Sequence, residues 1–290
     1  MEALDPAMPV LLRPDGCLQI GWDPRRAVLV RPPAGLSATT LATVLRALPL
    51  QAPAVHRLAA RLGLHDTAGF DAVLDGLRAA GVLGAGVRTS SQRTPRTLSV
   101  RVHGCGPLSD LLISGLRCSG ARVGHTSHAN AVGAPVGVDL VVLADWLAVD
   151  PRLLRDLHTA RVPHLPVRVR DGAGLVGPLV IPGVTSCLIC ADLHRTDRDP
   201  AWPALAAQLR EVIGTADRPT LLATAALALG QVQRVIAGVR AGAAPDAVTG
   251  VPDAPPPEFD VSWEIDVGSG AIRARRWPRH PLCGCWPGGG

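Results

Sequence analysis

The sequence contains no lysine and no tyrosine, so all 29 of its basic residues are arginine. Codon usage in a GC-rich genome would explain this bias, together with the abundance of glycine and proline. The absence of lysine has a chemical consequence whatever its origin. It excludes any mechanism that needs a lysine of this chain as a phosphate ligand, a Schiff-base amine or a conjugation site.

Long apolar runs and a secretion signal are also missing. No stretch approaches the roughly 18 to 20 uncharged residues that span a bilayer, and the N-terminus lacks the order of regions typical of a signal peptide. We therefore expect a cytoplasmic protein without membrane association. The net charge of +5 comes from arginines scattered along the chain, so it does not by itself indicate nucleic-acid binding.

The 290 residues are 47% hydrophobic and 18% charged, which favours a globular chain of two compact domains or one large one. Residues 9 to 31 predict a three-stranded meander, because short apolar runs alternate with turns rich in proline, aspartate and glycine. Apolar residues at helical spacing then predict three helices that end near Gly81. This order predicts a winged-helix-like β3α3 domain over residues 1–83.

A segment without apolar periodicity, residues 84–97, predicts a linker. Over residues 98–290, short strands alternate with helices, which is typical of a parallel sheet covered by helices. A strand pair near 261–267 and 271–277 closes the pattern. The predicted fold class is therefore α/β, with a small N-terminal domain followed by a larger Rossmann-like domain.

Seven cysteines, an odd number, argue against a disulfide framework in a chain without a secretion signal. Four of them form two close pairs, Cys187/Cys190 and Cys283/Cys285. Two such pairs supply the four soft ligands of a tetrahedral zinc site. A redox-active disulfide is the alternative for the first pair, although it leaves the second pair unexplained. We expect a closed structural zinc site that tethers the C-terminal segment to the middle of the domain.

The turn Gly104-Cys105-Gly106 lies between a strand and a helix, where nucleotide-binding proteins hold a phosphate. No acidic residue follows the next strand to bind a ribose. Two interpretations stay open: a vestigial nucleotide loop with Asp145 beside it, or a tight turn that needs glycine for its backbone. Cys105 and Cys118, at the turn and on its helix, are expected to be small buried residues.

Residues 99 to 287 resemble the E1-like superfamily, the ThiF/MoeB type of adenylating protein. The glycine turn, Ala144-Asp145, the run from Cys187 to Cys190 and the closing strand pair carry this resemblance. It implies a Rossmann-like fold, a structural zinc ion and a homodimer, although family members have two C-x2-C pairs where this chain ends in C-x-C. Active members bind Mg-ATP with a fuller glycine loop, an acidic ribose ligand and a lysine. This chain lacks all three, so we do not expect it to bind ATP.

A narrower resemblance covers the whole chain. A β3α3 domain ahead of a degenerate E1-like domain, with the run from Cys187 to Leu209, is similar to the cyclodehydratase partner proteins of thiazole/oxazole-modified peptide pathways. It implies that the N-terminal domain binds the leader of a ribosomal precursor peptide as an added strand, while a separate YcaO-type enzyme carries out the ATP-dependent step. No catalytic residue is then expected here. The peptide-binding residues that it implies lie on the third strand and the third helix: Arg26, Val28, Leu29, Val30, Arg31, Leu74 and Arg78.

Two other functions remain open from the sequence. The chain could be an active ATP-dependent adenylating enzyme, which would require an unusual nucleotide site without lysine. It could also be a winged-helix DNA-binding regulator. The third helix carries Asp71 and Asp75 against the single Arg78, and this acidic charge argues against contact with phosphates.

Overall fold

The computed structural model describes residues 2–5, 7–48, 52–63, 67–85, 97–128, 137–240 and 260–285. The chain divides into two compact units, Met1–Thr94 and Pro95–Gly290, called here the first and second unit. Most of the predicted linker and the terminal glycines lie outside the described residues. The domain limits drawn from the sequence therefore stay a prediction.

The first unit contains the predicted three-stranded antiparallel sheet, with strand order β2-β3-β4. It also contains a two-stranded antiparallel sheet, β1-β5, that the sequence pattern did not predict, because each strand has only three residues and its partner lies at the other end of the unit. The strands are β1 (Glu2–Leu4), β2 (Val10–Leu12), β3 (Leu18–Ile20), β4 (Val28–Val30) and β5 (Leu83–Ala85).

Three helices follow β4, as the apolar spacing predicts: α1 (Ala38–Arg46), α2 (Ala52–Arg61) and α3 (Thr67–Ala79). Helix α1 begins after Ser37, whose hydroxyl accepts a hydrogen bond from the backbone N–H of Thr40 at 3.1 Å. The apolar faces of α1 and α3 pack with the inner face of the sheet around the fully buried ring of Phe70. Every third or fourth residue of these helices is therefore buried.

The second unit is built on a seven-stranded mixed sheet with strand order β12-β11-β10-β9-β8-β6-β7. The last four strands in this order are mutually parallel, and the others pair antiparallel. The strands are β6 (Ser99–His103), β7 (Arg122–Thr126), β8 (Leu140–Ala144), β9 (His164–Arg170), β10 (Ala173–Val176), β11 (Val261–Asp266) and β12 (Ala271–Arg276). The structure thus confirms the α/β class.

Helices cover both faces of this sheet: α4 (Pro107–Cys118), α5 (Pro151–Thr159), α6 (Leu188–Thr196), α7 (Trp202–Leu209) and α8 (Arg218–Arg240). Helices α4 and α8 pack against one face, and α5 and α6 belong to the apolar cluster on the other. Among the residues described, no helix is both long and apolar enough to span a bilayer.

Candidate functional site

The two cysteine pairs come together although they are 95 residues apart in sequence. Cys187 caps the N-terminus of α6, and Cys190 lies in the first turn of that helix, so their sulfurs are 3.7 Å apart. Cys283 Sγ lies 3.5 Å from Cys187 Sγ, and Cys285 Sγ lies 3.5 Å from Cys190 Sγ. All four sulfur atoms are within 4.8 Å of one another.

These distances fit a single metal ion rather than disulfides. A disulfide joins sulfurs at about 2.05 Å, and all four cysteines are free thiols in this structure. A tetrahedral site with Zn–S bonds of about 2.3 Å places neighbouring sulfurs about 3.8 Å apart. The four sulfurs therefore form a possible metal site, and a set of four thiolates is the chemistry that zinc prefers.

The charge of the cluster also favours a cation. The hydrogen bond from Cys187 lowers the pKa of Cys190 to about 4, and the same contact raises the pKa of Cys187. Burial raises the pKa of Cys285 to about 12. One thiolate therefore forms readily, and further thiolates need a neighbouring positive charge, which a divalent metal ion supplies.

Several histidines brace the segment that carries the second cysteine pair, and the sequence analysis missed them. His158 on α5 donates to the carbonyl of Cys285 at 3.2 Å. His280 accepts at Nδ1 from the N–H of Leu282 at 3.1 Å, so its Nε2 carries the proton that is donated to Asp197 at 2.8 Å. No local pattern could reveal this contact, because its two partners are 83 residues apart.

His194 completes a second group of metal-binding residue types with Asp197 and His280. Its Nε2 is hydrogen-bonded to the carbonyl of Pro278 at 3.0 Å. Both ring nitrogens of His280 are used in the bonds described above. The arrangement thus supports the path of the chain toward Cys283, and both ring nitrogens of His280 are already bonded.

At the glycine turn, the carboxylate of Asp145 takes the place that a phosphate occupies in nucleotide loops. It accepts hydrogen bonds from the backbone N–H groups of Leu108 and Ser109, at 3.0 and 3.3 Å, and from the Ser109 hydroxyl at 2.7 Å. A Cβ atom on Gly104 or Gly106 would lie 2.8 Å from this carboxylate. The glycines are therefore needed for close packing against Asp145, which caps α4.

Asp145 is held in an uncommon conformation. Its φ is 71°, in the left-handed region that aspartate tolerates better than most residues. Only 1% of its surface is exposed, and this burial raises the pKa of its carboxyl group.

The expectation that Cys105 and Cys118 are buried is wrong, because both side chains are exposed. Cys105 lies in the turn that leaves β6, and Cys118 lies at the solvent-facing end of α4.

In the first unit, backbone hydrogen bonds determine which residues of β4 face outward. The N–H of Arg13 donates to the carbonyl of Cys17, and that of Gly21 donates to Pro9. Because bonded pairs alternate in an antiparallel ladder, the backbone N–H and C=O groups of Leu18 and Ile20 point toward β4. Their partners in the register are Val30 and Val28, so the N–H and C=O of Leu29 point away from the sheet.

The two edges of this sheet differ. At the β2 edge, Arg46 Nη2 donates to the carbonyl of Val10 at 2.6 Å. Within the part of the chain that is described, no strand pairs with the outer edge of β4. The Leu29 side chain is 61% exposed, and Trp22, in the turn before β4, is 82% exposed.

The other predicted peptide-binding residues are spread between surface and core. Arg26 and Arg31 are exposed, and Val28 is half-buried. Val30 and Leu74 lie in the core of the first unit, with 7% and 2% of their surface exposed. Helix α3 exposes Arg78, which forms an ion pair with Asp75 one turn earlier. Of the seven residues, those with accessible surface are thus the arginines, Val28 and Leu29.

No protein-family model matches this sequence, and no curated protein matches it. Solved structures do match. A heterocyclase in complex with substrate and cofactor aligns over 98% of this chain and 39% of its own, with a TM-score of 0.64 and 14% identity. The heterocyclase TruD aligns over 98% of this chain and 42% of its own, with a TM-score of 0.65 and 16% identity.

Escherichia coli MccB with bound ATP aligns over 98% of this chain and 99% of its own, with a TM-score of 0.59 and 13% identity. MccB has also been solved with the peptide MccA. The chain thus spans about two fifths of the length of the heterocyclases and nearly all of MccB. It shares the fold of these proteins, and this confirms at the level of fold the resemblance predicted from the sequence.

Proposed function

We propose that this protein binds the leader segment of a ribosomally made precursor peptide and presents the peptide to a separate YcaO-type cyclodehydratase. The observation that carries the proposal is the outer edge of β4, which no described strand covers and where Leu29 directs its N–H and C=O away from the sheet. The fold shared with heterocyclases and with MccB supports a role in peptide biosynthesis.

The proposed binding mode is addition of the leader as a fourth strand beside β4. The peptide would exchange backbone hydrogen bonds with Leu29, which gives affinity with little dependence on sequence. The exposed side chain of Leu29 offers an apolar contact. Arg26 and Arg31 are exposed at the two ends of the strand and favour a leader with acidic residues.

We further propose that the chain itself does not activate the peptide with ATP. The amides at the N-terminus of α4, which would hold a phosphate, are bonded to Asp145 instead. The chain also offers no lysine for the phosphates. The alternative, an active ThiF/MoeB-like adenylating enzyme, would require Asp145 to leave these amides and a magnesium-bound nucleotide to replace it.

In this proposal the cysteine cluster binds zinc and has a structural role. Four thiolates leave no open position for a substrate, so the ion would fix the segment around Cys283 and Cys285 against α6. A cytoplasmic location belongs to the proposal, because the thiols must stay reduced to bind the metal. A homodimer is a further part of it, carried over from the resemblance alone.

The test begins with a display library of random 20-residue peptides, selected against the full zinc-loaded chain. We expect the enriched peptides to lose binding to Leu29→Pro, because proline removes the N–H at the free edge while the ladder to β3 stays intact. Leu12→Pro is the matched control, since the same alternation points the N–H of Leu12 away from the sheet at the opposite edge. Equal binding to Leu29→Pro and to the wild type would refute strand addition at β4.

A further inference from the structure

A cavity of about 250 Å³ lies in the second unit, between α6 and strands β9 to β12. Its lining is strongly basic, with five arginines and one acidic residue, and part of its wall is apolar. The arginines come from three elements that are distant in sequence. The charged residues are Arg168, Arg170, Arg195, Arg273, Arg275 and Glu264.

The acidic residues near the cavity do not balance these arginines. Glu264 is shared between Arg170, at 3.1 Å, and Arg273, at 3.9 Å, and Asp171 lies 3.6 Å from Arg170. Arg195 pairs with Asp192 at 2.7 Å. Within the described part of the chain, neither Arg168 nor Arg275 has a carboxylate at ion-pair distance. The cavity therefore holds positive charge without a matching negative charge.

The two unbalanced arginines lie at different depths. Arg168, on β9, is partly buried, and its described hydrogen bond, to the carbonyl of Leu147 at 3.0 Å, uses one of its five N–H groups. Burial, with Arg195 nearby, lowers the pKa of Arg168 to about 10. Arg275, on the exposed edge strand β12, stacks over Trp277 at 4.0 Å.

Trp277 organises the basic lining without neutralising it. Arg195 lies over the same ring at 4.6 Å, so two guanidinium groups are held by one side chain. Cation–π contacts orient a guanidinium. Its N–H groups lie in the plane of the guanidinium and stay free to donate hydrogen bonds. Leu175 and Pro178 add apolar wall beside the ring. The cavity thus combines oriented donors with a hydrocarbon surface.

We propose that this cavity binds an organic oxyanion, a carboxylate or phosphate group attached to an apolar body. Arginine binds such groups through two parallel N–H···O bonds, and Arg168 and Arg275 have the charge and the donors to do so. The ligand's apolar part would contact Trp277 and Leu175. The site uses no residue of β4 and no cysteine, so its failure would leave the proposed leader binding unaffected.

Calorimetric titration of the full zinc-loaded chain tests the site with three probes: phenyl phosphate, inorganic phosphate and a capped tetrapeptide of alternating aspartate and leucine. We expect phenyl phosphate to bind more tightly than inorganic phosphate, because it has an apolar ring. Arg275→Gln should weaken binding roughly tenfold. Arg276→Gln is the matched control, since it removes the same charge from the next residue of β12, outside the cavity lining, and should leave binding unchanged.

The outcomes separate the possible sources of the oxyanion. Binding of phenyl phosphate supports the site and points to a small molecule, whereas binding of the tetrapeptide alone supports the site and points to an acidic polypeptide segment. Equal weakening by Arg275→Gln and Arg276→Gln would overturn the proposal, as would the absence of binding by all three probes. Tighter binding of inorganic phosphate than of phenyl phosphate would overturn the proposed contact with an apolar body. Arg275 is exposed, so its substitution tests the site without disturbing the core. Arg168→Gln would risk such a disturbance, because Arg168 is partly buried.

Discussion

Replacing Cys283 by serine should release the metal ion and destabilise the second unit. The four-sulfur cluster links residues that are 95 positions apart, and a cross-link that closes a loop of about 100 residues stabilises a chain by up to about 4.7 kcal/mol. For a unit of this size, each kcal/mol corresponds to roughly 2 to 4 °C in melting temperature. We therefore expect the Tm of the second unit to fall by up to roughly 9 to 19 °C.

The assay combines zinc stoichiometry by atomic absorption with calorimetric melting. Cys105→Ser and Cys118→Ser are the matched controls, because both thiols are exposed and stand outside the cluster. Both controls should retain one zinc ion per chain and the wild-type Tm. Full retention of metal and Tm in Cys283→Ser would refute the four-sulfur site. Loss of metal in the controls as well would show that the ion is bound elsewhere.

Three further predictions concern the second unit. Burial lowers the pKa of His164 to about 4, so the unfolded chain takes up a proton between pH 6.5 and pH 4 that the folded chain does not. Burial also lowers the pKa of His103 to about 4, so urea unfolding should show His164 contributing about 3 kcal/mol of the fall in stability over this range, and His164→Gln should remove that share of the slope; an unchanged slope would contradict the assignment. Gly174→Ala would place a Cβ 1.9 Å from the Thr224 hydroxyl and should cost about 1–3 kcal/mol, whereas Gly230→Ala on exposed α8 surface should stabilise by up to about 1 kcal/mol; the reverse order would be inconsistent with the packing of α8 on the sheet. Asp145→Ala removes three hydrogen bonds to a buried carboxylate and should lower the unfolding free energy by more than about 2 kcal/mol; an unchanged denaturation midpoint would show that Asp145 does not stabilise α4.

The cysteine cluster could be predicted from the sequence because each pair is local. Cys187 and Cys190 are three residues apart, and Cys283 and Cys285 two apart, so each pair offers two sulfurs to one ion whatever the rest of the chain does. The outer edge of β4, which no described strand covers, could also be predicted from the sequence. A strand that follows two others in a meander has no further neighbour in sequence.

Contacts between residues that are distant in sequence could not be predicted. The pairing of β1 with β5 joins the two ends of the first unit, and strands of three residues carry too few positions for a periodic signal. Helix α6 begins at Cys187 with a thiol cap, which no propensity rule includes. The contact of Asp145 with Ser109 depends on a positive φ and on two glycines that leave room for the carboxylate. Such geometry follows from tertiary packing.

Under the proposed function, this chain presents a peptide and does not activate it with ATP. Calorimetric titration of the purified, zinc-loaded chain with Mg-ATP tests this claim without knowledge of the peptide. We expect no heat of binding up to millimolar nucleotide, because Asp145 occupies the amides at the start of α4. Binding in the micromolar range would contradict this expectation and would favour the alternative function, an ATP-dependent adenylating enzyme.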